Sequence, residues 1–124
     1  MTLTFTIVGP PRTKKNHGVI AMRGRPRMLP SPQYAAWNRI AQTQLAKFRA
    51  QSNACLPLTQ PVNCRALFYR DADRGDAVGY YQALADTLEH AHIIDNDRQI
   101  VSWDGSRMLK DAKNPRVEVF LEEL

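Results

Sequence analysis

Residues 75–97, GDAVGYYQALADTLEHAHIIDND, contain five acids, and three of them, Asp76, Asp95 and Asp97, crowd the two ends of a helical stretch. Carboxylates brought within a few Å raise one another's pKa, and a divalent cation is the ordinary relief. The chemistry such a cluster could do is to hold a Mg2+ ion, which polarises a bound group and acidifies its water without a Ser–His or Cys–His pair. The same residue types also serve plainer ends: Asp76 suits a helix cap, and Asp95, Asn96 and Asp97 suit a turn.

Charge is divided along the chain. Residues 1–70 hold eleven Lys or Arg and no acid, whereas residues 71–124 hold six Lys or Arg against all twelve acids. A net charge of +5 and a basic loop RTKKNHGVIAMRGRPR point toward a polyanion, because Lys and Arg contacts to phosphate supply most sequence-independent affinity for nucleic acid. Arg12, Lys14, Lys15, Asn16, Arg23, Arg25, Arg27 and, beyond the loop, Arg98 are the candidate DNA contacts. A solvated basic face is the plainer alternative. His90 and His92 stand two apart at a helix end, which favours dipole complementarity over zinc ligation. Cys55 and Cys64 lack a metal-clip spacing and read as free thiols. No apolar run is long enough for a membrane span and the start has no leader pattern, so a cytoplasmic protein with no membrane partner is expected.

Several elements must position these groups. LTFTIV (3–8) alternates as a half-buried strand, and residues 12–30 form a long basic loop with a short hairpin around RGRP. Ser31 and Pro32 open a helix over about 32–50. VNCRALFYR (62–70) reads as a central strand, and Asp76 caps a second helix with apolar positions Val78, Tyr81, Leu84, Ala85, Leu88 and Ala91, ending near 90–92. QIVSW (99–103) and RVEVFL (116–121) are strands joined by an elongated hairpin connection. The order βα-βα-ββ predicts one α+β domain over 1–124, a small mixed four-stranded sheet packed with two main helices. A helix of about fourteen residues spans roughly 21 Å, so Asp76 and Asp97 meet only if the returning segment runs back toward Asp76.

FTIVGPPRTKKN (5–16), LPSPQYAAW (29–37), GDAVGYYQALADTLEHAHIIDNDRQI (75–100), DGSR and NPRVEV, in that order over nearly the whole chain, resemble the RusA family of Holliday junction resolvases. The family motif runs Asp-x-Asp-Asn-x-x-Lys, a helix bearing Asp and Leu, then Asp-Asp-x-Gln-Val. Asp76, Asp86, Leu88, Asn96, Asp97, Gln99 and Ile100 fall on it, with the helix spacing kept. Val78, Gly79 and Gln82 stand where the family has its second Asp, its Asn and its Lys, and Asn96 replaces the first acid of the last pair. The resemblance implies a homodimeric, Mg2+-dependent (Mn2+ possible) endodeoxyribonuclease that resolves four-way DNA junctions in recombination and repair. Asp76 and Asp97 would then hold the metal, with Asp95 as a further ligand or Asp104 as a catalytic substitute. Lys14, Lys15 or Arg98 would stand in for the missing Lys. Loss of the acid at Val78 leaves a second class open, an accessory protein that binds junctions or other DNA without cutting them. An RNA-binding module that keeps only the basic surface is a third.

Overall fold

The alternation of Thr with apolar residues becomes β1 (Thr2–Val8), with Leu3, Phe5 and Ile7 buried and Thr2, Thr4, Thr6 and Val8 exposed. The structure, a computed structural model, describes residues 1–14 and 31–124 in full and, of the basic loop, only the backbone of β2 (Ile20–Met22) and β3 (Arg25–Arg27). These two strands pair antiparallel as the short hairpin expected around RGRP. α1 (Pro32–Gln51) begins as its residues dictate: the Ser31 hydroxyl accepts from the Tyr34 N–H at 3.1 Å, and Pro32 takes the first turn. Tyr34, Trp37, Ala41 and Leu45 form its buried stripe.

The rest of the chain is β4 (Val62–Arg70), α2 (Ala77–His90), β5 (Ile100–Ser102), β6 (Arg107–Lys110) and β7 (Arg116–Glu123). The sheet runs β1–β7–β4, with β5 and β6 side by side in sequence along the far edge of β4. β1–β7 and β7–β4 are antiparallel, whereas β5 and β6 both run parallel to β4. The sheet is therefore mixed, with β4 central as expected, but it has five strands. The segment between QIVSW and RVEVFL is no hairpin connection. It carries β6, and β4 lies between β5 and β7. RMLK is too short and too charged to show period two, yet Met108 packs beside Phe68 and Gly105, at φ 85°, turns the chain back into register along β4.

Alternate residues of β1, β4 and β7 point to one face and bury Phe5, Ile7, Cys64, Phe68, Val117 and Leu121 with both helices. Among the described residues no helix covers the opposite face, and there Arg65 lies 3.9 Å from the Phe120 ring and Arg116 3.8 Å from that of Tyr69. The helices join through a buried polar seam. Thr87 Oγ1 donates to Asn38 Oδ1 at 3.0 Å, leaving it to accept from the Tyr34 hydroxyl at 3.1 Å. Cys55 is exposed and Cys64 buried, both free as expected, and burial pushes the Cys64 thiol up so that it stays protonated. Among the described residues no helix is long and apolar enough to cross a membrane.

Candidate active site

α2 carries or adjoins Asp76, Val78, Gly79, Gln82 and Asp86, and its start is tightly specified. Gly75 sits at φ 76°, where a side chain would also strike the Tyr80 ring at 2.9 Å. Asp76 then caps α2 as expected, its Oδ1 accepting from the Gly79 N–H at 3.0 Å. Gly79 has its own reason: a Cβ there would lie 2.6 Å from Asp76 Oδ1 and 3.2 Å from the Thr13 methyl. The loop after β1 thus docks on α2 because this position has no side chain.

Along this flank α2 meets the end of the basic loop. Arg12 grips Asp71 with two bonds, Nη1 to Oδ1 at 2.8 Å and Nη2 to Oδ2 at 3.2 Å, and Lys14 donates to Asp86 Oδ2 at 2.7 Å. The Arg12 bond holds the Asp71 carboxyl below the usual carboxylate range, and the Asp86 bond holds the Lys14 ammonium above its ordinary value. Two expected phosphate contacts are therefore already engaged by carboxylates. Lys15, Asn16 and Arg23, and the side chains of Arg25 and Arg27, lie outside the described residues. Arg98 is exposed and has no acidic partner among the described residues.

The other flank of α2 borders an open cleft of about 400 Å³. Val78, Tyr81, Gln82 and Ala85 line it from the helix, and Asp97, Ile100 and Trp103 from the segment that follows. Val78 is 70% exposed, the one position of the expected stripe that faces outward; Leu84, Ala85 and Leu88 are buried as expected, Tyr81 and Ala91 pack partly against the core, and Tyr80 and Ala83 are buried beside them. Tyr81 and Trp103 stack with ring centroids 4.5 Å apart and planes 7° from parallel, forming one wall. The sequence marks Tyr81 as an apolar helix position and Trp103 as the end of a strand. Only their pairing across twenty-two residues reveals the wall, and no local pattern carries that.

Asp97 is fixed through its backbone. Its N–H donates to Glu89 Oε1 at 2.7 Å, and it opens a 3-10 turn (Asp97–Gln99) capped by Asn96, whose Oδ1 accepts from the Arg98 N–H at 2.8 Å. Gln99 closes the box from the other side: its Oε1 accepts from the Asn96 N–H, and its Nε2 donates to the Leu58 and Gln60 carbonyls. The Asp97 carboxylate is left exposed, with no cation within salt-bridge distance among the described residues.

Among the described residues no three His, Cys, Asp or Glu side chains gather into a preformed metal cluster. Asp76 caps the first turn of α2, whereas the Asp97 N–H is held by Glu89 near its last turn, and from Asp97 the chain runs through Ile100 to Trp103 along the cleft that Val78 also lines. A bridge between Leu58 and Ile94 fixes where this segment starts: Leu58 N–H donates to Ile93 O at 2.9 Å, and Asp95 N–H to Leu58 O at 3.1 Å. That pair pins residues 93–95, Asp95 included, to the linker before β4. Asp104 also sits elsewhere, in the turn between β5 and β6, where its N–H donates to Asn63 Oδ1 at 2.9 Å. The cleft supplies one free carboxylate and the Gln82 amide. Such a donor set fits a hydrated Mg2+ arriving with a phosphate, since that ion keeps several waters, and does not make a preformed cage.

Asp71, Asp73, Asp86, Asp111 and Glu118 each pair with a cation, while Asp76, Glu89, Asp95, Asp97, Asp104, Glu122 and Glu123 have none among the described residues. Asp76, Asp95, Asp97 and Asp104, which the sequence marked for chemistry, all fall in the second group. Comparison of the chain with protein-family models and with curated proteins finds no match to either.

Proposed function

We propose that this protein is a Mg2+-dependent endodeoxyribonuclease acting on branched DNA, its reaction centre the cleft between α2 and β5. One observation carries the reading. Four positions that fall on the resolvase motif, Val78 and Gln82 on one segment and Asp97 with Ile100 fifteen or more residues later, line a single open cleft. Asp97 offers its carboxylate to the ion, and Asp76 stands two residues before Val78 as the second candidate. The bound ion would polarise the phosphodiester and acidify a water. The residues of the chain orient: Gln82 can donate to a phosphate oxygen, the Tyr81–Trp103 wall excludes water from one side, and Arg98 adds positive charge beside Asp97. The remaining basic loop is the electrostatic footprint for the duplex arms.

A second reading, binding without cleavage, is favoured by Val78: an apolar side chain occupies the place where the motif has a metal carboxylate, and no third acid compensates. Labelled four-way junction and linear duplex, incubated with Mg2+ or Mn2+ and with wild type or Asp97→Asn, separate the two. Junction cleavage abolished by the substitution supports the nuclease. Tight, salt-sensitive binding with no product in either metal supports the accessory protein, and failure to bind at all sinks both.

A further inference from the structure

The two edges of the sheet are built differently. The β5/β6 edge consists of three- and four-residue strands separated by a turn at Gly105, and it carries exposed Arg107 and Lys110. Short, interrupted, charged strands are the ordinary protection against edge-to-edge pairing. The β1 edge has none of this. Its seven residues, TLTFTIV, include no charge, no Pro and no Gly.

Backbone parity shows what that edge offers. In the antiparallel ladder with β7 the odd residues face inward: Met1 O accepts from Glu123 N–H and Gly9 N–H donates to Pro115 O, both at 3.0 Å. The N–H and C=O of Thr2, Thr4, Thr6 and Val8 therefore point outward. Val8 proves the direction, because the Gln44 side chain from α1 takes both of its groups, Nε2 to O and Oε1 from N–H, each at 2.8 Å. Thr2, Thr4 and Thr6 have no such partner among the described residues. One turn before Gln44, on the same side of α1, Ile40 is 53% exposed, and Val8 itself is 55% exposed.

We infer that β1 is a self-pairing edge whose occupant is the β1 strand of a second copy, antiparallel across a two-fold axis at Thr4. Thr4 faces its own counterpart, Thr2 faces Thr6, and each pair exchanges both backbone bonds. The register is self-complementary in hydrogen bonding and places no like charges in contact, although each chain carries a net charge of +5. Gln44 stops the pairing at Val8, at each end of the joined strands. The result is one sheet continuous through both copies. The resolvase resemblance implies a dimer but no surface for it; the β1 edge and its register follow from β1 itself and would hold whatever the cleft does.

Sedimentation equilibrium or light scattering on the full chain at about 50 µM tests it, with three variants. Wild type should give twice the 14.1 kDa of one chain. Thr4→Pro removes only an outward N–H, so it should give monomer while circular dichroism stays native; Thr6→Lys should act likewise. In a Cys55→Ser background, Thr4→Cys should form a disulfide-linked dimer under mild oxidation and Val101→Cys, on the opposite edge, should not. A monomeric wild type, a dimer untouched by Thr4→Pro and Thr6→Lys, or cross-linking through Val101→Cys would each overturn the inference. Loss of native circular dichroism in Thr4→Pro leaves Thr6→Lys and the cross-link to decide.

Discussion

The two flanks of α2 use the same residue types to opposite ends. On the flank facing the loop after β1, Asp71 and Asp86 are each bound by a cation, Thr13 packs onto Gly79, and charge is neutralised within the chain. On the flank facing β5, Asp97 stands without a cation among the described residues, beside a stacked Tyr81–Trp103 wall and an exposed Val78. The first arrangement adds modestly to stability. The second contributes little to it, and under the proposed function the Asp97 carboxylate, held in place through its backbone and unpaired, is available to an ion.

If this contrast is right, substitutions on the two flanks separate activity from stability. Asp97→Asn should lower junction cleavage by about 100-fold or more while leaving the melting temperature within about 2 °C, since the Glu89 bond uses only the Asp97 N–H. Single-turnover cleavage and calorimetry on the same sample check both halves. Gly79→Val should do the reverse. It drives a side chain into Asp76 and Thr13 and should cost roughly 1–3 kcal/mol, read as a lower urea midpoint. Val78→Asp returns a carboxylate to the cleft at an exposed position, so it should raise cleavage several-fold at limiting Mg2+ without a stability change.

Smaller effects lie on the loop-facing flank. Asp71→Asn should lose on the order of 1 kcal/mol at pH 7, because its bidentate Arg12 bond is only partly exposed. The sign with pH follows from the depressed carboxyl. The pair contributes fully above the unfolded carboxylate value near ~4, and the contribution disappears as pH falls through the lower folded value. The difference in melting temperature between wild type and Asp71→Asn should therefore be constant from pH 6 to 7 and vanish in strong acid. Lys14→Ala should cost less, under about 1 kcal/mol, since both partners are about a third exposed.

Local patterns were legible and long-range ones were not. Ser31–Pro32, the Asp76 cap and the β4 run were readable because each depends on neighbours in sequence. β6 escaped because four residues of mixed polarity show no period, and its identity comes from Met108 reaching the core beside Phe68. The placement of Asp95 was hidden for a comparable reason: Leu58, thirty-six residues before Ile94, sets where the returning chain is pinned. Likewise the cation partners of Asp71 and Asp86 lie 59 and 72 residues away, beyond any spacing rule. The cleft positions Val78, Gln82 and Asp97 were found through the motif, whereas the Trp103 wall was not.

The most direct test of the contrast is where a divalent ion binds. Mn2+ titrated into 15N-labelled protein broadens amides near its site. Broadening that starts at Val78, Gln82 and Asp97 and is lost in Asp97→Asn is the predicted result. Broadening centred on Asp71 and Asp86, or unchanged by Asp97→Asn, would contradict the account.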